Sequence, residues 1–245
     1  MAAIGKEFMK KTEFEYLAPS DQMQGVPHPL LEVPYDFGGA IVPLPPPSSI
    51  TVHPLDLRTA IEQRRSVRQY AQEPITLAEL AFLLWCTQGV KETVQGQFTF
   101  RTVPSAGARH ALETYLLANN VEGLKPGIYR YLALEHRLAE IPADPDVAEK
   151  IAAACVNQQF IKNNGATFFW TAAAYRMTWR YGERGYRYLH IDAGHACQNL
   201  YLAAPAVGCG VCAVGAFHDA DMNALLRLDG EEQFLLYLAA VGKTE

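Results

Sequence analysis

Apolar residues along the chain recur at helical spacing in some segments and cluster or alternate in others. Asp56 precedes a segment that ends near Gln63, and Thr76 with Glu79 forms a capping-box pattern ahead of an apolar run. Both patterns predict a helix, because a side-chain oxygen at this position can accept free backbone N–H groups of the first turn. Apolar positions at three- and four-residue steps predict a further helix in the second half of residues 177–206.

Strands are predicted where β-branched and aromatic residues cluster between turn residues. The predicted strands cover residues 112–117, 166–174, 207–217 and 234–241, and residues 127–141 are predicted to form a hairpin. Shorter helices are predicted around residues 147–156, at residues 158–162 and after Asp219 as a cap. No internal repeat is visible, and helices and strands do not alternate regularly. This order predicts an α+β fold rather than a doubly wound sheet.

Prolines are concentrated near the N-terminus, where nine of the 15 lie between Pro19 and Pro54. Because proline has no backbone N–H, residues 1–52 are predicted to form an extended, Pro-rich arm ahead of one domain, residues 53–245. The arm would lie over the body or over a second subunit, and the alternative is a flexible tail. The expected anchors are the apolar side chains of Leu30, Leu31, Val33, Tyr35 and Ile41.

Composition narrows the function classes. The 245 residues are 49% hydrophobic and 19% charged, which is typical of a folded globular protein. A net charge of −5 argues against a non-specific nucleic-acid binder, and no apolar run has the length of a membrane span or signal peptide. Five cysteines, an odd number in mostly apolar surroundings, favour reduced thiols and a cytoplasmic protein over a disulfide framework.

A basic run, Arg64-Arg65-Ser66-Val67-Arg68, follows the first predicted body helix. Three guanidinium groups and a hydroxyl match the acceptor oxygens and the charge of a phosphate. The alternative is a solvated helix end that complements the helix dipole. Lys243, after the last predicted strand, would be a further phosphate partner if it lies beside this run, and otherwise an exposed lysine of the tail.

Small residues form two candidate contact surfaces for a flat ligand. The elbow Pro104-Ser105-Ala106-Gly107 would let backbone N–H groups approach such a ligand, although many such tetrapeptides are ordinary turns. The segment from Gly208 to Gly215 contains Cys209 and Cys212, but no further ligands at zinc spacing accompany them. No metal is therefore predicted, and dithiol redox chemistry is less favoured than a strand of small residues under a ring system.

Aromatic and basic residues are dense in the segment from Tyr175 to Tyr188, which holds four Tyr, four Arg and one Trp. Such a segment offers stacking faces, anion donors and phenolic protons together. It is interpreted as a substrate-side wall or lid, or as an aromatic seam between subunits. Asp192 and His195 on the adjacent helix are interpreted as packing or capping partners rather than catalysts.

Taken in order, these segments resemble the nitroreductase-like flavoproteins, and specifically their SagB-type dehydrogenase branch, which includes the azoline oxidases of peptide natural-product pathways. The resemblance runs from about Leu55 to Lys243. It rests on these motifs: Arg-Arg-Ser-Val-Arg (64–68), Leu-Leu-Trp (83–85) with Gln-Gly (88–89), Arg-Thr-Val-Pro-Ser-Ala-Gly (101–107), Tyr-Gly-Glu-Arg-Gly-Tyr-Arg-Tyr (181–188), Ala-Gly-His (193–195), Gln-Asn-Leu (198–200) and Leu-Asp-Gly-Glu (228–231).

The resemblance implies a mixed or antiparallel central sheet flanked by helices, with FMN bound at the interface of an intertwined homodimer. It implies that the phosphate, ribityl chain and pyrimidine edge are held by Arg64, Arg65, Ser66, Arg68 and Lys243. The flavin would be approached from the other subunit by Pro104, Ser105, Ala106 and Gly107. Its ring and N5 side would be lined by Cys209, Gly210, Val211, Cys212, Ala213, Val214 and Gly215.

The implied activity is hydride transfer to or from flavin N5, with an azoline in a modified peptide, or a similar small molecule, as substrate. Azoline oxidases carry a Lys-Tyr pair where this chain has Arg180-Tyr181. An arginine cannot act as a base at neutral pH, whereas Tyr181 could still shuttle a proton. Arg109 and His110 stand where relatives are apolar, which suggests a different, for example anionic, substrate. Tyr175 and Arg184 complete the predicted substrate side.

Two other functions stay open at this point. One is a general NAD(P)H-dependent nitro or quinone reductase, in which the nicotinamide stacks directly on the flavin. The other is a non-catalytic flavin-binding subunit of a peptide-modifying complex, which the arginine at position 180 favours.

Overall fold

The computed structural model describes residues 3–245, and its longer elements are seven helices and nine strands in that range. The helices are α1 (Ile4–Lys11), α2 (Leu57–Gln63), α3 (Leu77–Gln88), α4 (Val147–Ala154), α5 (Ala174–Tyr181), α6 (Gly185–Ala203) and α7 (Asp219–Leu225). The strands are β1 (Ile41–Pro43), β2 (Val90–Val94), β3 (Phe98–Arg101), β4 (Leu112–Ala118), β5 (Gly127–Leu132), β6 (Arg137–Ile141), β7 (Ala166–Ala173), β8 (Cys209–Val214) and β9 (Gln233–Lys243).

Seven strands form one sheet in the order β1-β6-β5-β4-β7-β9-β8, and every neighbouring pair is antiparallel. The predicted α+β class and the antiparallel central sheet are confirmed. All eight residues of β7 are buried, because helices cover both faces of the sheet at this strand. Strand β8 lies at one edge, where its outer backbone is available to another segment.

The two faces of the sheet carry separate cores. Phe168 packs toward α3 and α6, whereas the next residue, Phe169, packs toward α4 and α7. This split follows from the strand geometry, in which successive side chains point to opposite faces. The longest of the described helices, α6, has 19 residues, and no helix in residues 3–245 is apolar over the length that a bilayer crossing requires.

The predicted caps are confirmed in two of three cases. Asp56 Oδ1 accepts the Thr59 N–H at 3.0 Å, and Thr76 and Glu79 form the complete capping box. The prediction for Asp219 is wrong: it is the first residue of α7, the cap position is His218, and no side chain caps that end. Residues 89–102, for which the sequence pattern predicted no helix or strand, contain the separate β2–β3 hairpin.

The N-terminal arm is extended only in part. It contains helix α1, and β1 joins the sheet by pairing with β6. Between these elements the arm crosses the body of its own chain. Among the expected anchors, Leu30 is largely solvent-exposed at 65%, and Ile41 is partly exposed at 39%. The contacts that fasten the arm are mostly polar and are described below; residues 1 and 2 lie outside the described residues.

Candidate functional site

A basic cleft of about 480 Å³ lies between residues 64–71 and the last residues of the chain. Its lining residues are Arg65, Ser66, Val67, Arg68, Gln69, Tyr70, Ala71, Thr244 and Glu245. Val67 N–H donates to Val211 O at 2.9 Å, and Ala71 N–H donates to Lys243 O at 2.9 Å. These bonds fix the basic run along the outer edge of β8 and the end of β9. The fold thereby brings the run next to the C-terminal end of the chain, 170 residues away in sequence.

Tyr201, on α6, connects the basic run to strand β8. Its hydroxyl lies 3.0 Å from Ser66 Oγ and accepts the Ala213 N–H at 2.9 Å. The Arg64 guanidinium lies over the Tyr201 ring, 5.3 Å from its centroid. The sequence showed Tyr201 only as an apolar position of a helix. The signal in the sequence was a tyrosine among the apolar positions of the predicted helix, because the hydroxyl of a half-buried tyrosine needs a polar partner.

Lys243 does not take part in the basic cleft. Its Nζ donates to Glu79 Oε1 at 2.6 Å and to Val207 O at 3.0 Å, and the residue is only 9% exposed. Burial lowers the pKa of Lys243, but the hydrogen bond and charge of Glu79 outweigh this and raise it. The expected contact between Lys243 and the basic run is therefore not formed, because Glu79 already neutralises the ammonium group.

Strand β8 exposes little of the surface predicted for it. Ala213 is partly exposed and Gly215 is exposed, and the other five residues of the segment are buried: Cys209, Gly210, Val211, Cys212 and Val214. A β-carbon at Gly210 would lie 2.7 Å from Val67 Cγ2, so the glycine serves the packing of the basic run. Burial raises the pKa of Cys209 to about 12, which keeps this thiol protonated at neutral pH. Across residues 3–245 no cluster of metal-ligating side chains is found.

The elbow Pro104–Gly107 lies at the other end of α6. Ala106 N–H donates to Asp192 Oδ1 at 3.3 Å, and Ser105 Oγ accepts the His110 N–H at 2.9 Å. Asp192 is buried, its Oδ2 finds no partner among the described residues, and burial raises its pKa. Asp192 precedes Tyr201 by nine residues, or about 13 Å along a helix. Within one chain the elbow is therefore separated from the basic cleft.

Arg180 and Tyr181 pack directly against the elbow. A β-carbon at Gly107 would collide with the Tyr181 hydroxyl and lie 2.9 Å from Arg180 Nε. Gly107 also has φ of 58°, and Ala108 and His110 adopt φ of 53° and 44°. Non-glycine residues rarely adopt such angles, and they cluster at functional sites, where the surrounding structure enforces them. The pair that the resemblance singled out thus contacts the strained elbow.

The four residues predicted for the substrate side do not form an open wall. Arg109 contacts the arm residue His28, Tyr175 donates to Asp21 at 2.8 Å, and Arg184 donates to Thr12 O at 2.7 Å. His110 is buried, and burial, followed by the charge of Arg101, lowers its pKa to about 3. The aromatic and basic segment from Tyr175 to Tyr188 is thus largely the surface on which the chain's own N-terminal arm lies.

A buried ion cluster holds the middle of the arm. Glu113 Oε1 accepts from Arg176 at 2.6 Å and from the Val33 N–H at 2.8 Å, and Glu113 Oε2 lies 3.0 Å from Arg130. Arg176 Nε also donates to Leu30 O at 2.9 Å. Burial alone would raise the pKa of Glu113, but the two arginines outweigh it and lower the pKa. Sequence reasoning missed this cluster, although a Glu inside the apolar run 112–117 was a signal.

Comparison with known proteins links this geometry to one family. The profile of the nitroreductase family matches residues 61–243. MJ1384 of Methanocaldococcus jannaschii, a nitroreductase by name, is 36% identical over 192 residues, which cover 78% of this chain and 93% of that protein. The trifolitoxin-processing protein TfxB of Rhizobium leguminosarum bv. trifolii is 28% identical over 197 residues, 79% of this chain. The chain spans only 47% of the length of TfxB.

Solved structures share the fold. A chain from Anabaena variabilis, a nitroreductase by name, superimposes with a TM-score of 0.69 at 27% identity. The match covers 86% of this chain and 43% of the Anabaena chain. A chain of the Escherichia coli microcin synthetase McbBCD complex, with bound truncated pro-MccB17, gives 0.62 at 18% identity, covering 99% and 92% of the two chains. A Desulfovibrio desulfuricans nitroreductase by name, in complex with FMN, gives 0.54 at 19% identity, covering 77% and 86%.

Proposed function

The chain belongs to the nitroreductase family, and from this premise we propose that it is an FMN-dependent oxidoreductase. The observation that carries the proposal is the basic cleft. Within residues 3–245, the arginines of the run 64–68 form no ion pair, although the C-terminal residue Glu245 also lines the cleft. Guanidinium groups without a carboxylate partner suit a phosphate, which accepts forked, charge-assisted hydrogen bonds.

The donor set fits the phosphate end of FMN well. We assign the phosphate and ribityl contacts to Arg65, Ser66 and Arg68, which line the cleft. Arg64 lies over the Tyr201 ring beside them, and Lys243 is omitted because Glu79 holds its ammonium group. Tyr201 would orient Ser66: since the phenol oxygen accepts from Ala213, its own proton can go to Ser66 Oγ, which leaves the serine proton for the ligand.

The ring end of FMN fits a smaller surface than the sequence suggested. In this chain Ala213 and Gly215 are the residues of the segment that can reach a planar ring, because Val67 and Tyr201 already bond to the outer edge of β8. The elbow contacts Asp192, about 13 Å along α6 from Tyr201 and the phosphate contacts, and we assign the elbow contact with the ring to a second copy, as the family resemblance implies. Bound FMN would supply reversible hydride transfer at N5.

The chain's own residues near the reacting side are Tyr181 and Arg180. Tyr181 can donate or accept a proton at its hydroxyl, which faces the elbow. Arg180 stays charged and would orient an acceptor group rather than remove a proton. We propose that Tyr181 handles the proton that accompanies hydride transfer, with Arg180 as an electrostatic partner.

For the substrate we favour an azoline heterocycle in a modified peptide. The support is the relation to TfxB, named for toxin processing, and the shared fold with a chain of the microcin synthetase complex. Arg180 in place of a lysine favours a second candidate, a non-catalytic flavin-binding subunit of such a complex. The relation to MJ1384 favours a third, an NAD(P)H-dependent nitro or quinone reductase.

The cofactor proposal is tested by the absorption spectrum of the purified protein and chromatography of the released flavin. The double variant Arg65→Ala, Arg68→Ala should lose FMN on gel filtration, because each charge-assisted contact contributes about 1.5–3 kcal/mol. Arg58→Ala is the matched control, since Arg58 is an exposed arginine that pairs with Glu62 outside the cleft. Full flavin retention by the double variant, or a colourless wild type that takes up no FMN, would overturn the proposal.

The three candidate reactions separate in turnover assays of the FMN-loaded protein. Oxygen-dependent conversion of an azoline peptide supports the first. Reduction of a nitroarene by NADPH supports the reductase. A flavin that no donor reduces and no acceptor reoxidises supports the non-catalytic subunit.

A further inference from the structure

The N-terminal arm reaches the elbow through one histidine. His28 Nε2 lies 2.8 Å from a terminal nitrogen of Arg109, and Arg109 Nε donates to Gly107 O at 3.2 Å. Trp179 supports both partners: the Arg109 guanidinium lies over its ring at 5.4 Å, and the His28 ring meets it edge-on at 5.2 Å. Trp179 itself donates to Val26 O of the arm at 3.0 Å. These contacts form a continuous path from the arm to the elbow.

The chemistry of the pair defines the state of His28. A guanidinium carries only hydrogen-bond donors, so Nε2 must be the acceptor and the single imidazole proton must lie on Nδ1. A protonated imidazole has no acceptor nitrogen and would repel Arg109. The contact therefore exists only while His28 is neutral.

Two cations face His28 from the elements packed around it. Arg109 approaches from the elbow side and Arg176 from α5. Burial lowers the pKa of His28, and these two positive charges lower it further. Arg109 is in turn repelled by Arg180 and has no carboxylate partner in the part of the chain that the structure describes. His28 is thus the neutral acceptor that holds Arg109 over the elbow.

We propose that His28 is a positioning residue of the candidate site: its neutral imidazole holds Arg109, and Arg109 holds the Gly107 carbonyl. The arm is then part of the site rather than a covering of the fold. Gly107 is the elbow residue against which Arg180 and Tyr181 pack, so movement of its carbonyl would change the surface those side chains share. The inference rests on the proposed function insofar as the elbow contacts a flavin.

Four variants of the FMN-loaded chain test this, and one of them, Arg109→Gln, removes the charge that faces His28. His28→Ala removes the acceptor at every pH. His28→Gln offers an amide oxygen that accepts but does not titrate. Asp21→Ala is the matched control, since it removes another arm contact, the bond from Tyr175, and leaves the elbow untouched.

Three measurements follow: amide hydrogen exchange at residues 106–109, the visible circular dichroism of the flavin between pH 8 and pH 5, and the His28 titration by NMR. We expect exchange about tenfold faster in His28→Ala, from loss of a hydrogen bond to a charged group. The exchange rates and flavin spectrum of the wild type should match those of His28→Gln at pH 8. They should approach those of His28→Ala as His28 becomes protonated. His28→Gln should be insensitive to pH, Asp21→Ala should match wild type, and Arg109→Gln should raise the His28 pKa.

The outcomes separate this inference from the proposed function. The inference would be overturned, and the flavin proposal would stand, if His28→Ala had the exchange rates and flavin spectrum of the wild type. It would also be overturned if the elbow of the wild type were as insensitive to pH as that of His28→Gln. A protein that binds no flavin would overturn the proposed function, and exchange and titration would still test the contact. If His28→Ala fails to fold, the comparison of wild type with His28→Gln decides.

Discussion

Two groups of arginines in this chain have opposite surroundings. Arg130 and Arg176 are buried and share the carboxylate of Glu113, whereas the arginines of the run 64–68 are exposed and form no ion pair within residues 3–245. A buried charge must be balanced inside the protein, because its lost hydration is costly. An unbalanced charge at a cleft is available to a ligand. The first group therefore organises the fold and the arm, and the second is suited to an anion.

Removing the shared carboxylate should produce the largest effect. Glu113→Gln leaves two buried guanidinium groups without a counter-charge, and we expect a loss of about 3–5 kcal/mol in the free energy of unfolding. Urea unfolding measures this. Glu135→Gln is the control, because its pair with Arg137 is exposed and is expected to contribute less than about 1 kcal/mol. Equal effects of the two changes would contradict the distinction between the groups.

The burial of His110, followed by the charges of Arg101 and Arg176, should make the stability of the fold depend on pH. His110 has a pKa of about 3 in the folded chain and about 6.5 when unfolded. Between these two pH values only the unfolded chain binds the proton. The free energy of unfolding therefore decreases by about 1.4 kcal/mol for each unit by which the pH is lowered. His110→Asn tolerates the positive φ and should lose about 2 kcal/mol less than wild type between pH 6.5 and 5.

Chemical unfolding at several pH values checks this second prediction. His190→Asn is the control, since His190 lies exposed on α6. If the free energy of unfolding fell equally with decreasing pH in the wild type and in His110→Asn, His110 would be protonated in the folded chain as well.

A smaller effect on stability is expected at Tyr201, where the exposed basic run contacts α6. Tyr201→Phe removes the hydroxyl between Ser66 and the Ala213 N–H, so we expect a loss of about 1 kcal/mol in stability. FMN affinity, measured by fluorescence titration, should fall about fivefold, since Ser66 loses its orienting partner. Unchanged affinity would mean that Ser66 does not contact the ligand.

The smallest stability effect is expected inside the basic cleft itself. Arg68→Gln should change the unfolding free energy of the flavin-free protein by less than about 0.5 kcal/mol, because no partner loses a contact. FMN affinity should nevertheless fall about tenfold or more, from loss of a charge-assisted hydrogen bond. Thermal unfolding with and without FMN measures both. A large destabilisation of the flavin-free protein would place Arg68 with the structural arginines.

Local patterns predicted much of the fold. The caps at Asp56 and Thr76 and the main strands were predictable, because they depend on residues a few positions apart. The β2–β3 hairpin was missed because its strands, of five and four residues, are too short for a clear pattern. In the site, the basic run was recognisable from its composition, but the position of Lys243 was not. Whether the Lys243 ammonium group binds a ligand or Glu79 depends on a contact between two residues that are 164 positions apart in the sequence.

By itself, the amino-acid sequence indicated most of the longer helices and strands, the motifs that the chain shares with its family, and how much positive charge it carries. Only the tertiary structure decided which charges are balanced within the chain. Arg68 and Arg176 have the same side-chain chemistry, and they differ in whether folding brings a carboxylate within hydrogen-bonding distance. That difference arises from long-range packing, because the interaction of two charges depends on their separation and burial in space and not on their positions along the chain.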